Sequence, residues 1–224
     1  MKIVVLSFDQ LSLHWLGCYG NLWLPTPNFD LIATQSTIFD RCYVETVNPE
    51  VTSHAWWDGS FRSLTGKSPD KASLFDLLND FPVEVNLLAE GAAEDHRVPF
   101  LSEHHWNQIG EGDEGALVAL IDAGVETIRQ SATAGDSLLW LKGIGESSFE
   151  IPAIAWIEQV AEEEGLEPTE EMLTEWLVIM SQPELFAQLE IDQQQDLLEI
   201  FGAARIREID EQVGRVWREI QSRS

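Results

Sequence analysis

The run Ile3-Val4-Val5-Leu6-Ser7-Phe8 constrains the fold more than any other part of this chain. It is apolar on both alternating faces and stops at Asp9-Gln10. A run of that kind fits a central strand covered on both sides, the situation found in mainly parallel sheets flanked by helices. With 224 residues, of which 44% are hydrophobic, and nine tryptophans, the chain can build one large domain around a proper core. The expected fold class is therefore α/β.

Short segments follow the first strand in a fixed order: Leu16-Gly17-Cys18-Tyr19-Gly20-Asn21, Thr26-Pro27-Asn28-Phe29-Asp30, Ile38-Phe39-Asp40 and Cys42-Tyr43-Val44. In this order and at these distances they resemble the N-terminal region of the sulfatase family in the alkaline phosphatase superfamily. The resemblance is densest over residues 3–60 and stays collinear to 222. It implies a truncated sulfatase-like fold in one domain over 1–224, with an α/β core over 1–152 and a mainly helical part over 153–224.

The resemblance also implies what the site lacks. In the family the first strand ends in two aspartates that bind a divalent metal, and here the pair reads Asp9-Gln10. Counting from Asp9, and checking against Gly59 at the end of the motif, the position of the formylglycine-forming cysteine is Pro49. Glu50-Val51-Thr52-Ser53 follow, so Ser53 stands where the family has an arginine. The family's lysine and histidine after the next strand are replaced by Ala89-Glu90-Gly91-Ala92, and its aspartate, proline and histidine by Gly145-Glu146-Ser147-Ser148. Ile209-Asp210-Glu211-Gln212-Val213-Gly214-Arg215-Val216 resembles the helix before the family's second metal-binding strand, which does not follow in this sequence. Asp9, Gln10, Pro49, Thr52, Ser53 and His54 are thus read as vestigial site positions, with no catalytic residue among them.

No cofactor is expected. If one is held, it is a divalent cation such as Ca²⁺ or Mg²⁺ with Asp9 as candidate ligand, although such an ion needs several oxygen ligands. The expected function is a catalytically degenerate sulfatase-like protein with a binding, regulatory or scaffolding role. The alternative is a divergent metal-dependent hydrolase of sulfuric or phosphoric esters using Asp9, Thr52 and His54, completed by a second chain. A hydroxyl nucleophile needs a base within hydrogen-bond reach, and adjacency in sequence does not supply one, so Thr52 or Ser53 is read as a helix N-cap.

Along the chain, helices are expected at 28–35, from Thr52, at 73–79 and 117–130, and from Ala153 onward with breaks near Pro168 and Pro183, the last running from Asp196 to Gln221. Strands are expected at 38–44, 83–88 and 137–142, and 91–113 reads as a loop holding His96, His104 and His105. Those histidines read as surface residues, since the adjacent pair cannot form an i,i+4 metal site. Trp56-Trp57 reads as core, and Glu162-Glu163-Glu164 as a solvated helix face.

With 39 acidic against 13 basic side chains, the formal net charge is −26. Such a field repels polyanions, so nucleic acids, anionic membranes and sulfated polysaccharides are poor partners. A protein partner, basic if the contact is electrostatic, or a homo-oligomer is expected instead. Cys18 and Cys42 read as reduced and buried, with a disulfide as the other possibility. The apolar N-terminal run is too short for a secretory h-region, and no run of 18 apolar residues suggests a membrane span, so a cytoplasmic location is expected.

Overall fold

The computed structural model describes residues 1–44, 46, 48–59, 74–78, 80–90, 106–109, 115–131, 135–145 and 151–223. In chain order the elements are β1 (Lys2–Asp9), α1 (Pro27–Thr34), α2 (Pro49–Asp58), α3 (Leu74–Leu78), β2 (Val83–Glu90), β3 (Trp106–Ile109), α4 (Ala116–Gln130), β4 (Asp136–Ile144), α5 (Ile154–Glu163), α6 (Glu170–Met180), α7 (Pro183–Phe186) and α8 (Ile191–Gln221). Two compact units interleave in sequence. The first comprises 1–10, 39–143 and 218–224, the second 11–38 and 144–217.

The first unit holds a sheet of order β1-β4-β2-β3. β2 is parallel to both neighbours, with Leu87 in register with Trp106 on one side and Trp140 on the other. β1 runs the same way as β4: Ser137 N donates to Met1 O at their starts, and Asp9 meets Lys142 at their ends. The strands therefore point their carboxyl ends to one edge.

One face of this sheet carries Val85 and Leu87 of β2 with Leu138 and Trp140 of β4, packed against Trp57 of α2 and Phe75 of α3. The other lies under α4, whose buried residues Leu117, Leu120, Ile121, Gly124, Val125 and Ile128 recur at helical spacing. A Cβ on Gly124 would come within 2.6 Å of Leu141 Cδ1, so the missing side chain lets α4 rest directly on β4. Each fully buried Leu or Ile here contributes roughly 1.5–3 kcal/mol. The parallel sheet flanked by helices is the expected architecture.

Several local expectations are corrected. β1 stands at an end of the strand order, and only Ser7 in it is buried, so an apolar run identified the strand but not its rank. Ile38–Val44 is a turn and irregular chain rather than a strand. Phe39 and Tyr43 are 69% and 85% exposed, and without a buried face the side-chain packing that favours a strand is missing. Trp106–Ile109 is a strand where a loop was expected, because two apolar residues in four are too few to signal one. The remainder of 91–113, including His96, His104 and His105, lies outside the described residues, as do Gly91, Ala92, Glu146, Ser147 and Ser148. β2 continues through Ala89 and Glu90, so those two positions belong to the strand itself. Both cysteines are free, but Cys18 is only partly buried and Cys42 is exposed, against the expectation of burial.

In the second unit α5 to α8 follow one another with breaks where the sequence placed them. Gly165 takes a left-handed φ of 81° after α5, and Pro183 opens α7. α8 begins at Ile191, ahead of the expected Asp196, and buries Ile200, Ala203, Ala204, Ile206, Ile209, Val213 and Val216. Glu162, Glu163 and Glu164 are exposed as expected, yet two of them are engaged: Glu163 pairs with Arg207, and Glu164 accepts from Trp23 Nε1 at 2.7 Å. No described helix is long and apolar enough to cross a membrane.

Candidate functional site at the carboxyl edge of the sheet

Side chains alternate across a sheet, so Val5, Ser7 and Asp9 of β1 share the face of Leu138, Trp140 and Lys142 of β4. The pairings bear this out. Trp140 Nε1 donates to Ser7 Oγ at 2.8 Å, and one step nearer the carboxyl edge Lys142 Nζ lies 2.8 Å from Asp9 Oδ2. The Lys142 and Asp9 side chains are only 6% and 11% exposed. Trp57, 4% exposed, places its ring 6.0 Å from the Lys142 ammonium and crosses Trp140 nearly at right angles. Trp56, expected in the core, is 43% exposed and stacks on Trp140. Glu90 is buried on the opposite face, where its carboxylate and Phe8 crowd Gly143.

A divalent cation does not fit this arrangement. Ca²⁺ takes six to eight oxygen ligands and Mg²⁺ close to six, whereas among the described residues Asp9 is the one carboxylate of this face at the site and already holds a buried ammonium. Moving the ion in would strand the Lys142 charge in a nearly dry pocket, at a cost of several kcal/mol. Among the described residues no three His, Cys, Asp or Glu side chains gather as a metal site would require. Gln10 is exposed and is the one non-glycine described residue with positive φ, 61°. That backbone region suits Asn or Asp better than Gln.

α2 starts at Pro49, three residues ahead of the expected Thr52. Pro49 occupies its first turn, where a missing N–H and a fixed φ are tolerated, and the positive end of the helix dipole remains there without a nucleophilic side chain. The cap, however, is Asn48, which accepts from Val51 N at 3.1 Å, rather than Thr52 or Ser53. Thr52 Oγ1 instead donates to Thr46 O at 3.0 Å, and Ser53 Oγ is buried without a hydrogen-bond partner among the described residues. No hydrogen bond or ion pair among the described residues joins Asp9 to either hydroxyl. The side chains of Pro49, Glu50 and His54 lie outside the described set. Gly59, in left-handed conformation, ends the helix.

The densest motifs of the N-terminal region prove to be architectural. Asn21 Oδ1 accepts from Trp23 N and Leu24 N while its amide donates to His14 O, which closes the Leu16–Asn21 loop on itself. Thr26 Oγ1 accepts from Gly17 N at 2.8 Å and makes no cap bond to α1. Asp210 of α8 does so instead, accepting from Asn28 N, Asn28 Nδ2 and Phe29 N at 2.8–3.2 Å. Burial raises the Asp210 carboxyl above the ordinary aspartate range despite those donors, and nearby Asp30 adds to the rise. Burial, with Asp30 next, also raises the Cys18 thiol, which keeps it in the unreactive protonated form.

No family model matches the sequence, and no curated protein matches it either. Solved structures do. A putative sulfatase, yidJ from Bacteroides fragilis, superposes with a TM-score of 0.70 at 13% identity, covering 99% of this chain and 58% of that one. The phosphonate monoester hydrolase of Agrobacterium radiobacter gives 0.62 at 14% identity, with 99% and 59% covered. A protein solved with its substrate D-glucosamine-2-N,6-O-disulfate gives 0.69 at 14% identity, with 98% and 62% covered. At such identities the likeness is one of fold, and the chain spans less than two thirds of each of these proteins. The fold is that of the sulfatases and related esterases of the alkaline phosphatase superfamily.

Proposed function

We propose that this sulfatase-fold chain is a binding protein that does not hydrolyse esters. The observation that carries the reading is the Lys142 ammonium seated on Asp9: the first position of the ancestral metal site is neutralised from within the sheet. Two replacements support it. Pro49 offers no atom that could be oxidised to a formylglycine or attack an ester, and Ser53 cannot supply the charge of an arginine. The competing ester hydrolase using Asp9, Thr52 and His54 is disfavoured because the Thr52 hydroxyl is spent on Thr46 O and is only 8% exposed. The partner is a protein, with the net charge of −26 directing it away from nucleic acids and anionic membranes. Two free thiols suit a reducing compartment, and we assign the chain to the cytoplasm on that ground.

Purified chain assayed with aryl sulfates and aryl phosphates, with Ca²⁺, Mg²⁺, Mn²⁺ or Zn²⁺ added, is expected to show background rates only. The double variant Pro49→Cys/Gln10→Asp is expected to stay inactive, because Ser53 and Lys142 remain. Turnover by the natural chain that disappears in Asp9→Ala would refute the proposal.

A further inference from the structure

From Gly143 to Ala204 every ionisable side chain is acidic; no Lys, Arg or His falls in that stretch. Within it, α6 and α7 enclose an open groove of about 970 Å³. Its apolar lining comes from Val178, Ile179, Leu185 and Leu189, and its acidic side from Glu170, Glu171 and Glu175 of α6. Val178 is 44% exposed, a β-branched apolar side chain presented to water. Among the described residues none of the three glutamates has an ion-pair partner, so the groove combines uncovered apolar surface with uncompensated negative charge.

We infer that this groove receives a basic amphipathic α-helix of a partner protein. The inference rests on the binding role proposed above and names its surface and ligand chemistry. A helix lays a stripe of apolar residues, spaced i, i+3, i+4 and i+7, into a groove of this kind, and Lys or Arg beside the stripe meets the glutamates. The charges reject the other occupants. A second copy of the chain brings a net charge of −26 of its own, and phosphate-bearing surfaces meet repulsion before contact. Apolar burial supplies the attraction, and the one-signed rim selects the partner and speeds its encounter.

The test is a fluorescence-anisotropy titration of the whole chain with a labelled synthetic helix of about 16 residues carrying a Leu stripe flanked by Lys, and with the same helix carrying Glu for Lys. The Lys helix is expected to bind, more weakly as salt rises from about 0.05 to 0.5 M, and the Glu helix not at all. Glu171→Lys/Glu175→Lys and, separately, Val178→Asp should each weaken binding by about tenfold or more. Glu158→Lys/Glu162→Lys on exposed positions of α5 makes the same charge change away from the groove, and should weaken it far less. Circular dichroism verifies that each variant is folded; the rim and α5 changes are all at exposed positions and keep the comparison valid should Val178→Asp unfold. Equal losses from the rim and α5 pairs would reduce the effect to general attraction and overturn the inference, as would unchanged binding in folded Val178→Asp or no binding of the Lys helix. Self-association that Val178→Asp abolishes would put a second copy in the groove and overturn it too. Since this titration does not involve turnover, its failure is distinguishable from failure of the non-hydrolytic reading.

Discussion

Lys142 and Asp9 decide what the site can do, and they form a buried pair whose strength is measurable. Removing one partner of such a pair leaves an uncompensated charge and costs about 3–5 kcal/mol, whereas replacing both with uncharged groups of similar size is nearly neutral. Lys142→Met and Asp9→Asn are each expected to lower stability by about that amount in urea unfolding, and the double variant to recover most of the loss. Additive losses would show that the two groups are stabilised independently and do not act as a pair. Gln10 and Pro49 could be singled out in the sequence because a resemblance assigns residues to positions; the ammonium could not. Lys142 read only as the last residue of a strand, since strand order and register, which bring it beside a residue 133 positions earlier in the chain, are tertiary facts.

At the scale of elements, the join between α1 and α8 gives the dense N-terminal motif a structural role. α1 has its first free N–H groups satisfied by Asp210, a cap supplied by another helix, and Asn28 is held by the same carboxylate. Gly214, one turn further along α8, makes room for Asn28: a Cβ there would overlap Asn28 Oδ1. Gly214→Ala should therefore destabilise by about 1–3 kcal/mol through overpacking, although alanine in an exposed helix interior would stabilise by about 1 kcal/mol. Stabilisation in thermal unfolding would show that Asn28 moves aside freely. The cap at Thr52 or Ser53 and the strand at 38–44 were misread for one reason. Local patterns assume that a hydroxyl serves its own helix and that apolar residues face inward, whereas Thr52 serves Thr46 O and Phe39 and Tyr43 face water. The strands β2 and β4 and the helix α4, long and strongly patterned, were legible.

For the whole molecule, the parallel sheet and the helical run after residue 153 were readable from periodicity, but the grouping of 11–38 with 144–217 was not, because it depends on contacts such as Asn28 with Asp210 across the sequence. We propose that in this sulfatase fold the Lys142 ammonium takes the place of a cation at Asp9. Calorimetric titration of the metal-stripped chain with Ca²⁺, Mg²⁺ and Zn²⁺, beside Asp9→Asn, is expected to show no stoichiometric binding that depends on Asp9; a bound equivalent of any of these ions that Asp9→Asn removes would contradict that reading.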